Sequence, residues 1–503
     1  MFGLDQTTFM SITAALLGFF YYVLVSPASK SRQKLPPCPA RPWPLLGNIT
    51  SLEENPRQQF KQWHKQHGDL FSIYFGNTLV VVVNGYKMIR ESLVSKGNAF
   101  LDRPPMVAND LIGMRDAGLA FNCGPAWKEA RSTTMLILKE FGLGKDTLAQ
   151  RVQEEVNYFI EKLADLRGEA TDIQYIIHIS VSNVIASIIV GKRFSYDDAR
   201  LKKAVESVVQ LASCAREAAA INYLPVLRYL PGDMFNSQRL LQATTTMRDF
   251  FAEFFSQSEV DEPGENFISS YKQKREEKLK AGETTSLSDK NLMKTLMDLL
   301  GAGTETTSST ISWCLLYILH HPEVQLKIHE ELDQVVGQNR KPNLDDKPRL
   351  PYLDAVIKES QRLASVVPFS IMRLASKDVV LGKYVIPEGT SVIPNLDSVL
   401  HDPEIWGSDA EDFRPERFLN SDGTVRHREE FIPFSVGRRN CLGMSVAQTE
   451  LFLFLSAMFQ RFKFVLPAPG DLPSLKETFG LTAVPAAYKV RCLDRLQENV
   501  TKS

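Results

Sequence analysis

Most of this chain carries apolar residues at the three- and four-residue spacing of an amphipathic helix. The pattern is mostly helical from residue 146 to about residue 280. Residues 291–317 predict one long helix, and residues 352–364 predict a shorter helix with one apolar face. These segments together predict a mainly helical fold.

Two regions depart from the helical spacing and favour short strands. Residues 71–83 are rich in β-branched and aromatic residues, and they are broken in the middle by Gly76-Asn77, which predicts a β-hairpin. Residues 367–393 begin with a turn and continue as short strands. The predicted fold class is therefore mainly α with small β-sheets.

The N-terminal segment differs from the rest in having a long uncharged stretch. Residues 6–29 carry no charge, and residues 9–25 are almost wholly apolar, which suits a helix that crosses a bilayer. No basic region precedes the stretch, so a cleaved signal peptide fits less well than a retained anchor; a buried core helix is the other alternative. Lys30, Arg32 and Lys34 follow it, which places the remaining chain in the cytosol. We therefore predict a membrane signal anchor at residues 1–29.

Residues 30–50 are rich in proline, which disfavours helix and favours a stiff extended hinge. No interior linker divides the remainder, so residues 51–503 are predicted to form one large catalytic domain. Within it, residues 221–232 interrupt the helices with apolar residues and prolines. This loop either dips into the membrane surface or packs inside the domain, and both interpretations stay open.

Composition limits the classes of function. The chain has 503 residues, 44% of them hydrophobic, and a net charge of -1, which argues against a nucleic-acid partner. Its six cysteines are scattered and form no C-x-x-C zinc pattern or disulfide framework. A catalytic domain in a reducing, cytosol-facing compartment fits this cysteine usage.

The most informative chemistry lies around Cys441, in the segment from Phe434 to Gly443. A thiolate is the form of cysteine that binds a metal, and Gly437 and Gly443 allow backbone N–H groups to approach the sulfur. A helix that begins near Cys441 adds positive potential, and Arg439 can pair with a carboxylate of a bound group. We interpret Cys441 as the axial thiolate ligand of a haem iron; a small buried cysteine that only packs is the alternative.

A second candidate site lies in the middle of the predicted helix at residues 291–317. Gly301 and Gly303 each cost a helix about 1 kcal/mol relative to alanine, so some group is expected to approach this backbone closely. Thr306 can donate a hydrogen bond to the carbonyl of Ala302, four residues earlier. A hydroxyl beside a carboxylate, Thr306 with Glu305, suits proton delivery to an iron-bound oxygen species. The alternative is a kinked core helix.

The chain contains two E-x-x-R segments, and the pattern alone carries little information. Glu359 and Arg362 lie in the amphipathic segment, whereas Glu411 and Arg414 have no such context. We therefore expect the first pair to be buried and the second to be a solvated surface pair.

Four segments together resemble the cytochrome P-450 superfamily. They are F-x-x-G-x-R-x-C-x-G at residues 434–443, A-G-T-E-T-T at residues 302–307, E-x-x-R at residues 359–362 and P-E-R-F at residues 415–418. They occur in the order that this family has. The local sequence around these and neighbouring segments is most similar to the microsomal family-2 clan of the family. The resemblance implies a single large haem-thiolate domain behind an N-terminal transmembrane helix.

The resemblance also implies the roles of individual residues. The cofactor is haem b, with Cys441 as its iron ligand. Residues expected to contact the haem, several of them through its propionates, are Trp127, Arg131, Arg373, Arg439, Ala302, Phe434, Gly437 and Gly443. Residues expected to form a buried structural charge network behind the haem are Glu359, Arg362 and Arg417. Apolar residues expected to line the substrate pocket are Leu111, Ile112, Phe369, Ile371, Phe479 and Leu481.

The implied activity is monooxygenation of an apolar organic substrate, with O₂ as co-substrate and Thr306 and Glu305 as catalytic residues. Electrons come from NADPH through a flavoprotein reductase, with cytochrome b5 as a further partner, at the endoplasmic reticulum membrane. Two other classes remain: a haem-thiolate isomerase acting on peroxides and a non-catalytic haem sensor. Glu305 and Thr306 argue against the isomerase, because its chemistry does not need proton delivery to oxygen. The substrate and the position of its oxidation do not follow from the sequence.

Overall fold

The computed structural model describes Thr13 and residues 35–142, 146–257 and 266–495. Helices dominate these residues, and the strands among them form small sheets, so the predicted mainly helical class is confirmed. Apart from Thr13, the predicted anchor at residues 1–29 lies outside the described residues. Among the helices of the described ranges, none combines the length and the apolar character needed to cross a bilayer.

The regular elements are numbered here in chain order. The α-helices of the described ranges are α1 (Pro56–His67), α2 (Tyr86–Arg90), α3 (Val107–Leu111), α4 (Gly124–Glu140), α5 (Asp146–Ala164), α6 (Gln174–Val190), α7 (Ala199–Ala219), α8 (Ser237–Gln257), α9 (Phe267–Lys280), α10 (Asp289–His320), α11 (Pro322–Val335), α12 (Pro351–Ala364), α13 (Asp397–Leu400), α14 (Pro403–Trp406) and α15 (Met444–Arg461). The strands are β1 (Leu70–Phe75), β2 (Thr78–Val83), β3 (Arg373–Leu374), β4 (Val379–Leu381), β5 (Tyr384–Ile386), β6 (Ser391–Pro394), β7 (Phe462–Val465), β8 (Glu477–Phe479), β9 (Ala483–Pro485) and β10 (Arg491–Asp494).

Helix α10 is the long central helix that the sequence predicts. The side chain of Ser288 caps its N-terminus by accepting a hydrogen bond from the Asn291 N–H at 3.1 Å. Every residue from 307 to 319 is buried, because α6, α12 and α15 pack around the helix. A helix enclosed in this way holds its side chains in fixed positions within the domain core.

The largest sheet contains the predicted hairpin. Strands β1 and β2 pair antiparallel with Phe75 opposite Thr78, and Gly76 adopts a φ of 59° in the turn between them. Strand β6 pairs parallel to β2, with Val392 opposite Val81, and β3 pairs antiparallel to β6. Strand β3 carries Arg373, so the sheet fixes the backbone of a predicted cofactor residue.

The proline-rich segment forms hydrogen bonds with strand β1 of the domain. The Ser72 N–H donates to the Pro37 carbonyl at 2.8 Å, and the Asn48 N–H donates to the Tyr74 carbonyl at 2.6 Å. The side-chain oxygen of Asn48, which is fully buried, accepts from the Tyr74 N–H at 2.8 Å. Prolines cannot donate hydrogen bonds, but their carbonyls accept them, so this segment covers the free edge of β1.

Glu359 and Arg362 lie on α12 with fully buried side chains. The Arg362 guanidinium donates to both carboxylate oxygens of Glu359, at 2.7 and 2.8 Å. Arg417 donates to the same carboxylate at 3.2 Å, and so does the Arg414 N–H at 3.0 Å. The structure thus brings together the three side chains that the sequence groups as a buried charge network.

The second E-x-x-R segment forms no such pair. Arg414 pairs with Asp409 at 3.0 Å, and Glu411 pairs with Lys61. Both side chains of this segment are more than half exposed, at 52% and 56%. An exposed ion pair contributes only about 0–1 kcal/mol to stability. The same E-x-x-R motif therefore contributes differently to stability at the two positions.

We predict that Glu359→Gln lowers the free energy of unfolding by about 3–5 kcal/mol, because it leaves the buried Arg362 without a counter-charge and leaves Arg417 with Asp409 alone. Urea unfolding followed by circular dichroism measures this loss. Glu411→Gln is the matched control, and its loss should stay within about 1 kcal/mol. Equal losses in the two variants would contradict a stabilising buried network.

Candidate functional site

A cavity of about 320 Å³ lies where α10, the N-terminus of α15 and strand β3 come together. Its lining contains one thiol, a group of arginines and several helix hydroxyls. The polar lining residues that matter below are Cys441, Arg103, Arg131, Arg373, Arg439, Thr306, Thr307 and Glu450. Much of the remaining lining is apolar: Leu299, Ala302, Val366, Val367, Ile371, Leu442 and Val446.

The Cys441 thiol lines this cavity just before the N-terminus of α15, where Gly443 is the N-cap residue. The Cys441 N–H donates to the Phe434 carbonyl at 2.9 Å, which closes the loop that presents the sulfur. Burial raises the pKa of the thiol, and a hydrogen bond from the Gly443 N–H and the charge of Arg131 partly offset this rise. A metal cation at the sulfur would remove the thiol proton outright.

The two glycines of the cysteine loop have different surroundings. Gly437 has a φ of 79°, and a Cβ atom there would lie 2.1 Å from the Leu93 carbonyl oxygen. Gly437 lies outside the cavity lining, and the close approach that its missing side chain permits is to the backbone of Leu93. Gly443 does line the cavity, and Phe434 lines it as well.

Three buried arginines, Arg103, Arg373 and Arg439, meet the half-buried Arg131 at one end of the cavity. Burial, together with the charges of Arg439 and Arg131, lowers the pKa of Arg373 to about 9. Burial lowers the pKa of Arg439 to about 10, with Cys123 acting in the opposite direction and Arg131 adding to the decrease. Burial and the neighbouring Arg373 and Arg439 also lower the pKa of Arg103. This end of the cavity therefore favours an anion.

The hydrogen bonds of these arginines single out Arg373. Arg439 donates to the carbonyls of Leu101, Leu119 and Asn122 and lies 3.5 Å from the Trp127 ring centroid. Arg131 donates to the Asn440 carbonyl at 2.8 Å. Arg373 keeps two buried donors, Nε and Nη1, without a partner among the described residues, and so does the Trp127 indole N–H.

Arg103 is the member of this cluster to which the sequence assigned no role. It is buried and donates to the Ala120, Ile371 and Met372 carbonyls at 2.6–2.9 Å. The sequence shows only that this arginine directly precedes two prolines, Pro104 and Pro105. That pattern does not reveal which distant segment the arginine contacts.

Thr306 and Glu305 point in different directions. The Thr306 hydroxyl lines the cavity and donates to the Ala302 carbonyl at 2.8 Å, as predicted. The Glu305 carboxylate is buried on another side of α10, where it lies 3.4 Å from His178 Nε2 and accepts from the Thr482 hydroxyl at 3.2 Å. Adjacent helix positions do not share a face, so the structure does not bring Glu305 to the cavity lining.

The glycines of α10 also have a neighbour that the sequence did not identify. A Cβ atom on Gly303 would lie 2.8 Å from the side chain of Ile185 on α6. The close approach at Gly303 is therefore the packing of one helix on another. Both residues line the cavity, so this contact also sets the position of the cavity wall.

Of the six predicted pocket residues, Ile371 lines this cavity and the other five lie outside its lining. Phe369 packs edge-to-face on Phe479, with ring centroids 5.6 Å apart. Leu111 and Leu481 are exposed, at 37% and 50%, and Ile112 packs against the main core. These positions lie on separate loops, whose distance from the cavity depends on the whole fold.

Comparison with known proteins identifies the class. The family model described as cytochrome P450 matches residues 36–491, and this chain belongs to that family of haem-thiolate monooxygenases. Relatives include cytochrome P450 2B9 of Mus musculus, 34% identical over 96% of this chain and 99% of the relative. Cytochrome P450 2E1 of Oryctolagus cuniculus is 35% identical over 97% and 99% of the two chains. Cytochrome P450 2D19 of Callithrix jacchus is 35% identical over 98% and 100%.

The residues around the cavity fit the haem that the family implies. A porphyrin has apolar faces and two carboxylates at one edge, and the cavity has apolar walls and an arginine cluster at one end. The unpaired donors of Arg373, which lines the cavity, are buried polar atoms that such carboxylates would satisfy. Trp127 lies outside the lining, directly behind Arg439, and its buried indole N–H is also without a partner among the described residues. The Cys441 thiol on the same lining supplies the soft donor that binds iron.

Arg373→Met removes both free donors and keeps a long side chain. We predict about a ten- to hundredfold loss of haem affinity, because a hydrogen bond to a charged group contributes roughly 1.5–3 kcal/mol. Transfer of haem to an acceptor apoprotein measures this change.

The control for this variant is Arg438→Met. Arg438 is an exposed neighbour in the cysteine loop that donates to the Asn98 side chain at 2.8 Å. Haem affinity should be unchanged in the control. A similar loss in both variants would rule out a specific anchoring role for Arg373.

Proposed function

We propose that this chain is a membrane-bound haem-thiolate monooxygenase that inserts one atom of O₂ into an apolar organic substrate. The observation that carries the proposal is one cavity whose lining holds the Cys441 thiol, the Thr306 hydroxyl and the unpaired donors of Arg373. A thiolate ligand together with a proton-handling hydroxyl suits reductive activation of O₂. Bound haem supplies that activation, so that one oxygen atom enters the substrate and the other becomes water.

In this proposal, Cys441 binds the iron as a thiolate. The positive end of the α15 dipole and the Gly443 N–H stabilise the negative charge on its sulfur. Both groups belong to the loop and helix that present the sulfur, so the ligand is held in a fixed orientation. Phe434, Gly443 and Ala302 form part of the surface against which the cofactor lies.

Arg373 and Trp127 orient the cofactor through their free donors, and Arg131 and Arg439 add positive charge at the same end. Arg439 acts mainly by electrostatics, because backbone carbonyls already accept its hydrogen bonds. Two carboxylates among these arginines would favour the charged guanidinium of Arg373, whose pKa burial and like charges lower.

Thr306 holds and passes the protons that reduction of O₂ requires. Its Oγ1 donates to the Ala302 carbonyl and can accept a proton from one side while donating from the other. Glu305 is the neighbouring acid in the chain. It takes part only after its side chain leaves His178 and Thr482 and turns toward the cavity.

An apolar substrate is supported by the composition of the cavity wall. Leu299, Val366, Val367 and Ile371 offer few hydrogen-bonding groups, so binding would come mainly from exclusion of water. Leu111, Ile112, Phe369, Phe479 and Leu481 remain candidates for contact with a substrate that extends beyond the cavity or enters it through moving loops.

Electrons come from NADPH through a flavoprotein reductase, and cytochrome b5 is a second candidate donor. A groove behind the cysteine loop supports an acidic partner of this kind. Its lining is basic on balance: it holds Asp354, Asp422 and Glu429 against the basic side chains of Arg90, Lys347, Arg349, Lys358, Arg426 and Arg428. Phe434 lines both this groove and the haem cavity, so a partner seated there would lie close to the cofactor.

Membrane attachment at the endoplasmic reticulum is supported by an exposed apolar surface. Trp43 and Leu45 are 64% and 52% exposed, and Val226 and Tyr229 are 68% and 72% exposed. The turn at Gly76 joins the two groups, because it lies beside the backbone of Leu45 and the side chain of Leu224. The 221–232 segment thus has both buried and exposed apolar residues, with Ile221 fully buried.

We predict that Thr306→Ala keeps haem binding but uncouples the reaction. Product formed per NADPH should fall about tenfold or more, with a matching rise in hydrogen peroxide, because the cavity loses its proton-handling hydroxyl. Ser308→Ala removes a similar hydroxyl that bonds four residues back on α10 but does not line the cavity. Its coupling should match the wild type, and normal coupling in Thr306→Ala would contradict the proposed role.

We predict that Trp43 contacts the lipid. The chain has five tryptophans; Trp127, Trp313 and Trp406 are 3% exposed, and Trp63 is half-buried. Brominated lipids should therefore quench the fluorescence of the vesicle-bound protein mainly through Trp43. The quenched component should disappear in Trp43→Phe. Quenching that persists unchanged in that variant would argue against membrane contact by this surface.

A further inference from the structure

Glu450 is a buried carboxyl group for which the proposed reaction has no use. It lies on α15, is 1% exposed and lines the cavity. Neither of its carboxyl oxygens has a partner in ordinary hydrogen-bond geometry among the described residues, and the one donor that acts on the carboxyl is the hydroxyl of Thr307. That hydroxyl, which reaches the same cavity from α10, has no partner in ordinary geometry among these residues either. Buried polar groups are normally paired, so this pair of residues needs an explanation.

The protonation state of Glu450 follows from its surroundings. Burial raises the pKa of this carboxyl to about 8, and Thr307 only partly offsets the rise. An ionised carboxylate without a partner costs far more free energy in such a place than a neutral acid does. Glu450 is therefore mostly protonated at neutral pH, and it titrates close to the physiological range.

Each of the following charged and titratable groups, on elements packed against α15, has another partner. Glu155 of α5 pairs with Arg193, Glu305 of α10 lies beside His178, and Glu359 of α12 pairs with Arg362. His329 of α11 forms a hydrogen bond with the Phe462 carbonyl. Asp346 pairs with Arg340 and Arg349. The neighbouring Lys347 faces Asp354 and the ring of Phe452. Among the described residues, only burial and Thr307 set the pKa of Glu450.

Glu450 is also not the missing counter-charge of the arginine cluster. Arg131 lowers the pKa values of Arg373 and Arg439, and Arg439 lowers that of Arg373, but none of them acts on Glu450. The cavity therefore has two separate electrostatic regions. Fixed positive charge lies at the arginine end, and a group that can gain or lose negative charge lies beside α15 and Thr307.

We infer that Glu450 is a proton-binding residue coupled to the electron count of the cofactor, so that reduction of the haem drives its carboxylate to take up a proton. The inference rests on the proposed function. Reduction adds one electron, supplied by the reductase or by a chemical reductant, and the carboxylate forms one O–H bond with a proton from solvent. Reoxidation reverses both changes. The physical reason is that negative charge added to the cofactor disfavours the ionised form of a nearby carboxyl group. By the same linkage, protonation of Glu450 favours reduction of the haem.

The test is the haem reduction potential of the holoenzyme, measured by mediated equilibrium titration between pH 6 and pH 10. In the wild type, the equilibrium constant for reduction should fall as pH rises, by about three- to tenfold per pH unit near the pKa of Glu450. Glu450→Gln keeps the shape of the side chain and cannot titrate. Its reduction constant should be flat over the same range, because the carboxylates of the bound cofactor keep the guanidinium groups of Arg373 and Arg439 charged there.

A second buried acid provides the matched control. Glu155 on α5 is 3% exposed, and burial raises its pKa to about 7, but it pairs with Arg193 and Tyr196 and does not line the cavity. Glu155→Gln should keep the pH dependence of the wild type. A flat wild-type profile, or an unchanged profile in Glu450→Gln, would overturn the inference.

Infrared difference spectra between the oxidised and reduced wild type give an independent readout that needs no variant to fold. The carboxylic-acid C=O band should gain intensity on reduction above pH 8, and its absence would also overturn the inference. A protein that shows thiolate ligation but a pH-independent potential would refute this inference alone. Failure of the proposed function would appear as loss of thiolate ligation itself.

Discussion

Unbalanced positive charge at one end of the cavity is the constraint on which the rest of the site depends. Arg373, Arg439 and Arg103 are buried close together, and each has a lowered pKa because burial and like charges oppose its ionised form. Two donors of Arg373 have no partner among the described residues. A bound group with two carboxylates at one edge would balance the positive charge and pair the free donors of Arg373. The apolar faces of that group would then lie against the helices.

The fold makes this arrangement possible by fixing the elements that surround the cavity. Helix α10 is enclosed by other helices, so Thr306 has a defined position, and α15 begins directly after the cysteine loop. Strand β3 places Arg373 within a sheet whose edge the proline-rich segment covers. The Glu359 network then ties α12 to the segment around Arg417 through fully buried charges. The site is thus a product of long-range packing.

Local sequence was sufficient for the features that depend on nearby residues. The hairpin at residues 71–83, the helix around Thr306 and the bond from Thr306 to Ala302 involve contacts over a few positions, and the structure contains them. The direction of Glu305, the packing of Ile185 on Gly303 and the contact of Gly437 with Leu93 depend on partners far away in the chain. No local pattern contains that information. The distance of five predicted pocket residues from the cavity lining depends on such long-range contacts as well.

The central claim is that the Cys441 sulfur bonds the haem iron as a thiolate, and the absorption spectrum of the ferrous protein with carbon monoxide tests it most directly. The account predicts a strongly red-shifted Soret band in the wild type, because the thiolate donates electron density to the iron. Cys441→Ala should lose that band or the haem itself. A haem-loaded wild type that binds carbon monoxide without the red-shifted band would contradict the account.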